Sequence, residues 1–236
     1  MKTNARLNYI VICRNRSAIP WLLSQRLTTR IIGKKIYFYR IVRSTQKLAL
    51  SLAEKKTADF EGTVIISERQ TAGIGRIGKM WLSPAGGIWL SVILRPNVAA
   101  SQSFLIMFLA TLTVCEVIKS KTGLKAKIKW PNDVIISGRK VSGTLVDLGV
   151  VNETICYAVI GIGINANNRT ARIVSKLTAS KASGFYGATS LKMELDGLDI
   201  NLVDLIRSLL EKLEDYYDLL QQGLYDDILR KWKDMA

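Results

Sequence analysis

Residues 63–95, TVIISERQTAGIGRIGKMWLSPAGGIWLSVILR, restrict the fold more than any other part of the chain. Two apolar runs flank a loop that packs Gly73, Gly75 and Gly78 among Arg76 and Lys79 and closes on Trp81. Glycines let backbone N–H groups come close to an anion, and the two cations add charge. Trp81 offers a surface for a flat ring or an apolar ligand tail. The spacing Gly73-x-Gly75-x-x-Gly78 imitates a dinucleotide fingerprint, but that motif opens a helix. Here Pro84, Gly86 and Gly87 follow at once and deny one. The same residues imitate the start of a P-loop, yet Met80 stands where Ser or Thr has to hold magnesium. The apolar runs at 63–67 and 87–94 therefore read as strands. The loop between them suits a phosphate-bearing small molecule, with an ordinary basic hairpin loop as the other reading.

At 236 residues, 48% apolar and 22% charged, the chain can bury a core as one domain, or one plus a small appendage. Histidine is absent, which excludes Ser-His-Asp and Cys-His catalysis and imidazole-bound metals. Thirty-four Lys and Arg against nineteen Asp and Glu give a net charge of +15. Such a surface attracts nucleic acid, an anionic membrane, an acidic protein or anionic small substrates. Cys13, Cys115 and Cys156 are far apart and odd in number, each beside apolar residues. They read as buried free thiols in a reducing compartment, and no metal-ligand cluster is visible.

Residues 1–26 are basic, with Arg6, Arg14, Arg16 and Arg26, and are broken by Pro20. They read as an N-terminal extension, faintly like an organellar transit peptide, without an apolar run of bilayer length. KIYFYRIV at 35–42 is a strand by its β-branched and aromatic residues. Ser44 and Thr45 then open an amphipathic helix to about Lys55, where either hydroxyl caps the helix or its N-terminus receives a ligand carboxylate. Residues 101–121 place Leu105, Phe108, Leu109, Leu112 and Cys115 at helical spacing, a core helix on a sheet. In AKIKWPNDVII at 126–136, Pro131 forces an irregularity in an extended run, with Asn132 and Asp133 at the break. Ser137-Gly138 is a hairpin turn, and Lys140 starts the returning strand, whose interior Gly143 implies close approach of a backbone or ligand. CYAVIGIGI at 156–164 is a strand carrying Gly161 and Gly163, which read as packing accommodations; Asn165 follows. A last long helix spans about 201–222. The elements add up to an α+β fold, a mixed β-sheet backed by helices.

Three irregular points carry cations or amides beside a glycine: Arg76 and Lys79; Asn132, Asp133 and Lys140; and Asn165. This pattern suits phosphoryl or adenylyl chemistry, where catalysis is positioning and charge stabilisation. No protein nucleophile is needed if a substrate carboxylate attacks the α-phosphate of ATP.

The chain resembles the biotin–protein ligases. QTAGIGRIGKMW is similar to the family's Q-x-x-G-R-G-R-x-G-R-x-W loop. IKWPNDVIISGRKVSGTLVD is similar to its K-W-P-N-D segment and G-x-K-x-x-G-I-L-x-E hairpin. GIGINAN, ATSL and the Ser-Thr entry after the first strand also match, in order, from about Leu27 to the end. The resemblance implies the biotin/lipoate protein ligase type of catalytic domain over 27–236. It implies biotinyl-5′-adenylate formation from biotin and ATP with Mg2+, then transfer to a lysine of biotin carboxyl carrier protein. By resemblance Ser44, Thr45, Gln46 and Gln70 hold the biotin ureido and neighbouring groups. Gly73, Ile74, Gly75 and Arg76 form the loop over the carboxylate and phosphates, and Lys140 stands at their junction. Gly143 and Gly163 let biotin lie against the sheet. Arg76, Lys79, Trp81, Asn132 and Asn165 belong to the nucleotide side, and Asp133 positions Lys140 or assists magnesium.

Four departures from the pattern stand out. Ile74 replaces a usual Arg, Lys79 another Arg, and Gln46 the usual Asn after Ser-Thr. After KWKDMA at 231–236 the small C-terminal SH3-like β-barrel of the family is expected to be absent, as is the winged-helix domain of some members. A cytoplasmic location, no specific nucleic acid, no membrane, and a homodimer as the one assembly considered complete the expectations. The competing readings are a lipoate–protein ligase, opposed by the K-W-P-N-D segment and glycine loop, and a non-enzymatic nucleic-acid binder, motivated by the charge.

Overall fold

A computed structural model describes residues 10–13, 27–55, 60–170 and 187–236. The strands are β1 (Ile10–Cys13), β2 (Lys35–Val42), β3 (Val64–Gln70), β4 (Ile88–Leu94), β5 (Lys127–Lys129), β6 (Asp133–Ile136), β7 (Arg139–Val151) and β8 (Thr154–Ile164). They form one eight-stranded sheet in the order β1-β2-β3-β4-β8-β7-β6-β5. The pairs β1–β2 and β2–β3 are parallel and the others antiparallel, so the sheet is mixed as expected. Four residues of the N-terminal extension are thus part of the sheet. The remainder of 1–26, and the side chain of Cys13, lie outside the described residues.

Period-two alternation sorts each strand between two faces. In β4, Ile88, Leu90, Val92 and Leu94 enter the main core with Ile160, Ile162 and Ile164 of β8. This face is covered by α2 (Phe104–Thr122), α4 (Leu202–Gln221) and α5 (Tyr225–Met235). Helix α2 is apolar enough over Ala100–Thr122 to satisfy the length and composition of a membrane span, but it is mostly buried as the central core helix. Asn201 caps α4 by accepting from the N–H groups of Val203 and Asp204. α5 escaped the sequence reading; Ile228 and Trp232 are its buried anchors, and Trp232 stacks on Phe108 at 4.3 Å.

The opposite face carries α1 (Thr45–Ala53), packed through Ala49 and Ala53 on Ile65, Ile93 and Val159. Helix α1 covers only part of this face, along which consecutive cross-strand rows run. One row runs Ser67, Trp89, Gly163, Gly143, Asp133; the next runs Ile65, Ser91, Gly161, Leu145. A fifth helix, the short α3 (Leu191–Glu194), follows 187–190 near the start of β7. Cys115 is buried as expected, but Cys156 is exposed: alternation puts Ile155 inward and its neighbour outward.

Candidate active site

The loop between β3 and β4 is itself a small hairpin. Gly75 N–H donates to the Lys79 carbonyl, Trp81 N–H donates to the Gly73 carbonyl, and Ile74 bridges Met80. The tip turns through Ile77 (φ 55°) and Gly78 (φ 67°), both left-handed. Glycine accepts that conformation freely; a β-branched residue such as Ile77 does so under strain. Ile77 is 91% exposed and Met80 70%, so the tip projects rather than packs.

At its base the loop turns inward and lays the Trp81 indole across the glycine row. A Cβ on Gly163 would stand 2.6 Å from Trp81 Nε1, and one on Gly143 would stand 3.2 Å from the same ring. Gly143 and Gly163 are therefore a floor kept bare for a flat group, filled here by Trp81. Trp89 meets that ring edge-on at 6.4 Å, and Lys140 Nζ lies 5.0 Å from its centroid. The indole N–H is buried and has no hydrogen-bond partner.

Lys140 is held at both levels of structure. Its backbone pairs with 187–189, N–H to the Gly187 carbonyl and carbonyl from Thr189 N–H. Its ammonium sits 2.6 Å from Asp133 Oδ1. The break at Pro131, with a cis Trp130–Pro131 bond, places Asn132 beside them. Asn132 Nδ2 donates to the Thr144 carbonyl, leaving Oδ1 to accept from Arg76 Nη1 at 3.0 Å. Arg76 thus reaches across from the glycine loop to the K-W-P-N-D segment.

An uncharged polar chain lines the other end. Ser44 caps α1 by accepting from Lys47 N–H. Gln70 Oε1 accepts from Thr45 N–H at 2.8 Å, and Gln70 Nε2 donates to Ser83 Oγ at 2.7 Å. Ser91 Oγ lies 2.9 Å from both Thr45 Oγ1 and Gln46 Oε1. Asn165 stands on the Lys140 side instead: its N–H donates to the Val141 carbonyl, and its Oδ1 accepts from Asn168 Nδ2 at 3.0 Å.

Most of these groups border one cavity of about 890 Å3. Ser44, Thr45, Gln46, Gln70, Ile74, Gly75, Arg76, Lys79, Trp81, Asn132, Asp133, Lys140, Gly143, Gly163 and Asn165 all stand on its wall. Gly73 does not; it is buried behind the loop, where a Cβ would meet the Trp81 carbonyl at 2.4 Å. Ser91, Gly161, Leu145 and Trp130 also line the cavity, although the sequence reading did not select them for it. Ser91 had a signal: it is the one polar residue in the apolar strand IWLSVIL. Among the described residues no group of three or more acidic or cysteine side chains forms a metal cage.

The family model described as the biotin/lipoate A/B protein ligase family matches residues 37–165, from β2 to the end of β8. The chain belongs to this family. Among family relatives, the bifunctional ligase/repressor BirA of Bacillus spizizenii is 35% identical over 164 residues, 67% of this chain and 50% of its own length. The human biotin–protein ligase is 29% identical over 199 residues, 81% of this chain and 27% of its own. The chain therefore spans half or less of these curated relatives. A solved biotin protein ligase from Aquifex aeolicus, in complex with biotin and ATP, aligns at TM-score 0.61 with 28% identity. That alignment covers 79% of this chain and 72% of the solved one.

Proposed function

We propose that the chain joins biotin to MgATP as biotinyl-5′-adenylate and passes the acyl group to a lysine of a biotin carboxyl carrier protein. The observation that carries this reading is a single cavity with opposite chemistry at its two ends. Lys140 and Arg76 supply positive charge at one; Thr45, Gln46, Gln70 and Ser91 supply neutral hydrogen-bonding groups at the other. A ligand matching both has an acidic tail and a neutral polar head, as biotin has in its carboxylate and cyclic urea.

In the first step a biotin carboxylate oxygen attacks the α-phosphorus and the bond to the β-phosphate breaks, releasing pyrophosphate. Lys140 and Arg76 reduce repulsion between carboxylate and triphosphate and stabilise charge growing on the α-phosphate, worth about 10²–10³-fold for one such donor. In the second step the carrier amine attacks the acyl carbon, AMP leaves, and the amine proton is lost to solvent. Ser44, Thr45, Gln46 and Gln70 serve the ureido. Gly143 and Gly163 serve as the floor, and Ile74 and Gly75 as the loop over the acyl chain. Asn132, Asn165, Lys79 and Trp81 serve the nucleotide. Asp133 orients Lys140 through their ion pair. With Asp133 so engaged and no acidic cage among the described residues, magnesium enters as part of the substrate MgATP, held by its phosphates.

The test is incubation with biotin, MgATP and a carrier domain, with mass spectrometry of the carrier lysine. Biotinylation that needs both small molecules is expected. Lipoylation as rapid as biotinylation, or no acylation at all, would contradict the reading.

A further inference from the structure

Gln46 and Asp147 interact where the chain departs from the motifs it resembles. The pattern has Asn after Ser-Thr and Glu at the end of G-x-K-x-x-G-I-L-x-E; this chain has Gln46 and Asp147. One side chain is a methylene longer and the other a methylene shorter. Gln46 Nε2 donates to Asp147 Oδ2 at 2.8 Å and to the Val159 carbonyl at 2.9 Å. Both partners are acceptors only, so the NH2 end of the amide has to lie between them and both of its hydrogens are used. The carbonyl end is thereby turned inward, where Oε1 takes up position beside Ser91 Oγ and Gly161. A Cβ on Gly161 would stand 2.5 Å from Oε1, so only glycine there lets the amide oxygen take this place on the cavity wall.

From this geometry we infer that Asp147 is a positioning residue for ligand recognition, and that Gln46 and Asp147 are a matched exchange of side-chain length. The carboxylate, standing behind the cavity wall, fixes the Gln46 amide so that it presents an acceptor to the cavity. An acceptor selects a ligand N–H. A cyclic urea has two to give; a dithiolane ring has none. The inference rests on the biotin reading above and names the contact through which the pocket selects a ureido.

The test is a double-substitution cycle in the full chain, read as the KM for biotin, its kcat and its binding by calorimetry. Gln46→Asn alone leaves a gap to Asp147, and Asp147→Glu alone crowds the longer Gln46. Each is expected to raise the biotin KM about tenfold with kcat changed far less, because the contact is made equally in ground and transition states. Together they restore the summed length, and the biotin KM is expected to return to within about threefold of the unsubstituted chain. Losses that multiply in the double variant would overturn the matched exchange, as would single variants with an unchanged biotin KM. Failure of the unsubstituted chain to bind biotin would sink the underlying reading instead, and the inference with it.

Discussion

At the scale of single residues, the proposed chemistry rests on where cations stand rather than on any nucleophile. Lys140 is reached from three sides: by Asp133, by the Trp81 ring and by its backbone pairing with 187–189. Lys140→Ala is expected to lower biotin-dependent pyrophosphate exchange about 10²-fold or more while leaving the thermal midpoint nearly unchanged. Exchange at the normal rate would remove Lys140 from the chemistry. The cysteines give an independent check on packing. Burial pushes the Cys115 thiol up to about 11, so at pH 7.5 it holds almost no thiolate, whereas Cys156 is exposed. Peptide mapping after brief alkylation is expected to find Cys156 modified and Cys115 intact; rapid labelling of Cys115 in folded protein would show that the α2 core is misplaced. The sequence alone did not separate these two thiols, because apolar neighbours surround both and only strand alternation in β8 turns one outward. It did expose Arg76, Lys79, Lys140 and Asn132, whose glycine and proline neighbours disrupt regular patterns. Asp147 left no comparable trace, since one acid in a strand carries no local signal of its partner.

At the scale of elements, the strands and the long helices were legible because each has a clear period: KIYFYRIV is a strand residue for residue. Strand order was not, because pairing β4 to β8 joins residues seventy positions apart without any local cue. Two element junctions can be tested. Gly163 carries the Trp81 indole, and a side chain there would displace the ring. Gly163→Val is expected to weaken biotin binding at least tenfold by calorimetry, with the loss in the site rather than in global stability. The second junction is Glu214 of α4, buried, whose carboxylate accepts from the backbone N–H groups of Arg30, Ile31 and Ile32. Removing it orphans those donors, so Glu214→Ala is expected to cost about 3 kcal/mol in denaturant unfolding. A cost below about 1 kcal/mol would mean that the N–H groups find water instead. Tyr217 on the same helix donates to Glu61, and its burial, followed by that bond, raises its hydroxyl pKa. It therefore stays protonated through the neutral range and keeps its bond to Glu61 there.

At the scale of the whole molecule, the net charge is +15, and Arg76, Lys79 and Lys129 are among the residues that line the cavity. Long-range attraction of this kind speeds encounter with an acidic partner and is screened by salt. Raising ionic strength from about 0.05 M to about 0.3 M is expected to lower kcat/KM for an acidic carrier severalfold. Adenylate formation from biotin and ATP should change less. Equal salt sensitivity of both steps would remove the charged surface from carrier recognition. The direct trial of the central claim leaves the carrier out. The protein is mixed with biotin and ATP labelled at the α-phosphate, then separated from free nucleotide. Biotin-dependent retention of the label as biotinyl-adenylate, with pyrophosphate released, is the predicted result. Label retained equally without biotin, or not retained at all, would contradict a cavity that brings the vitamin's carboxylate to the nucleotide.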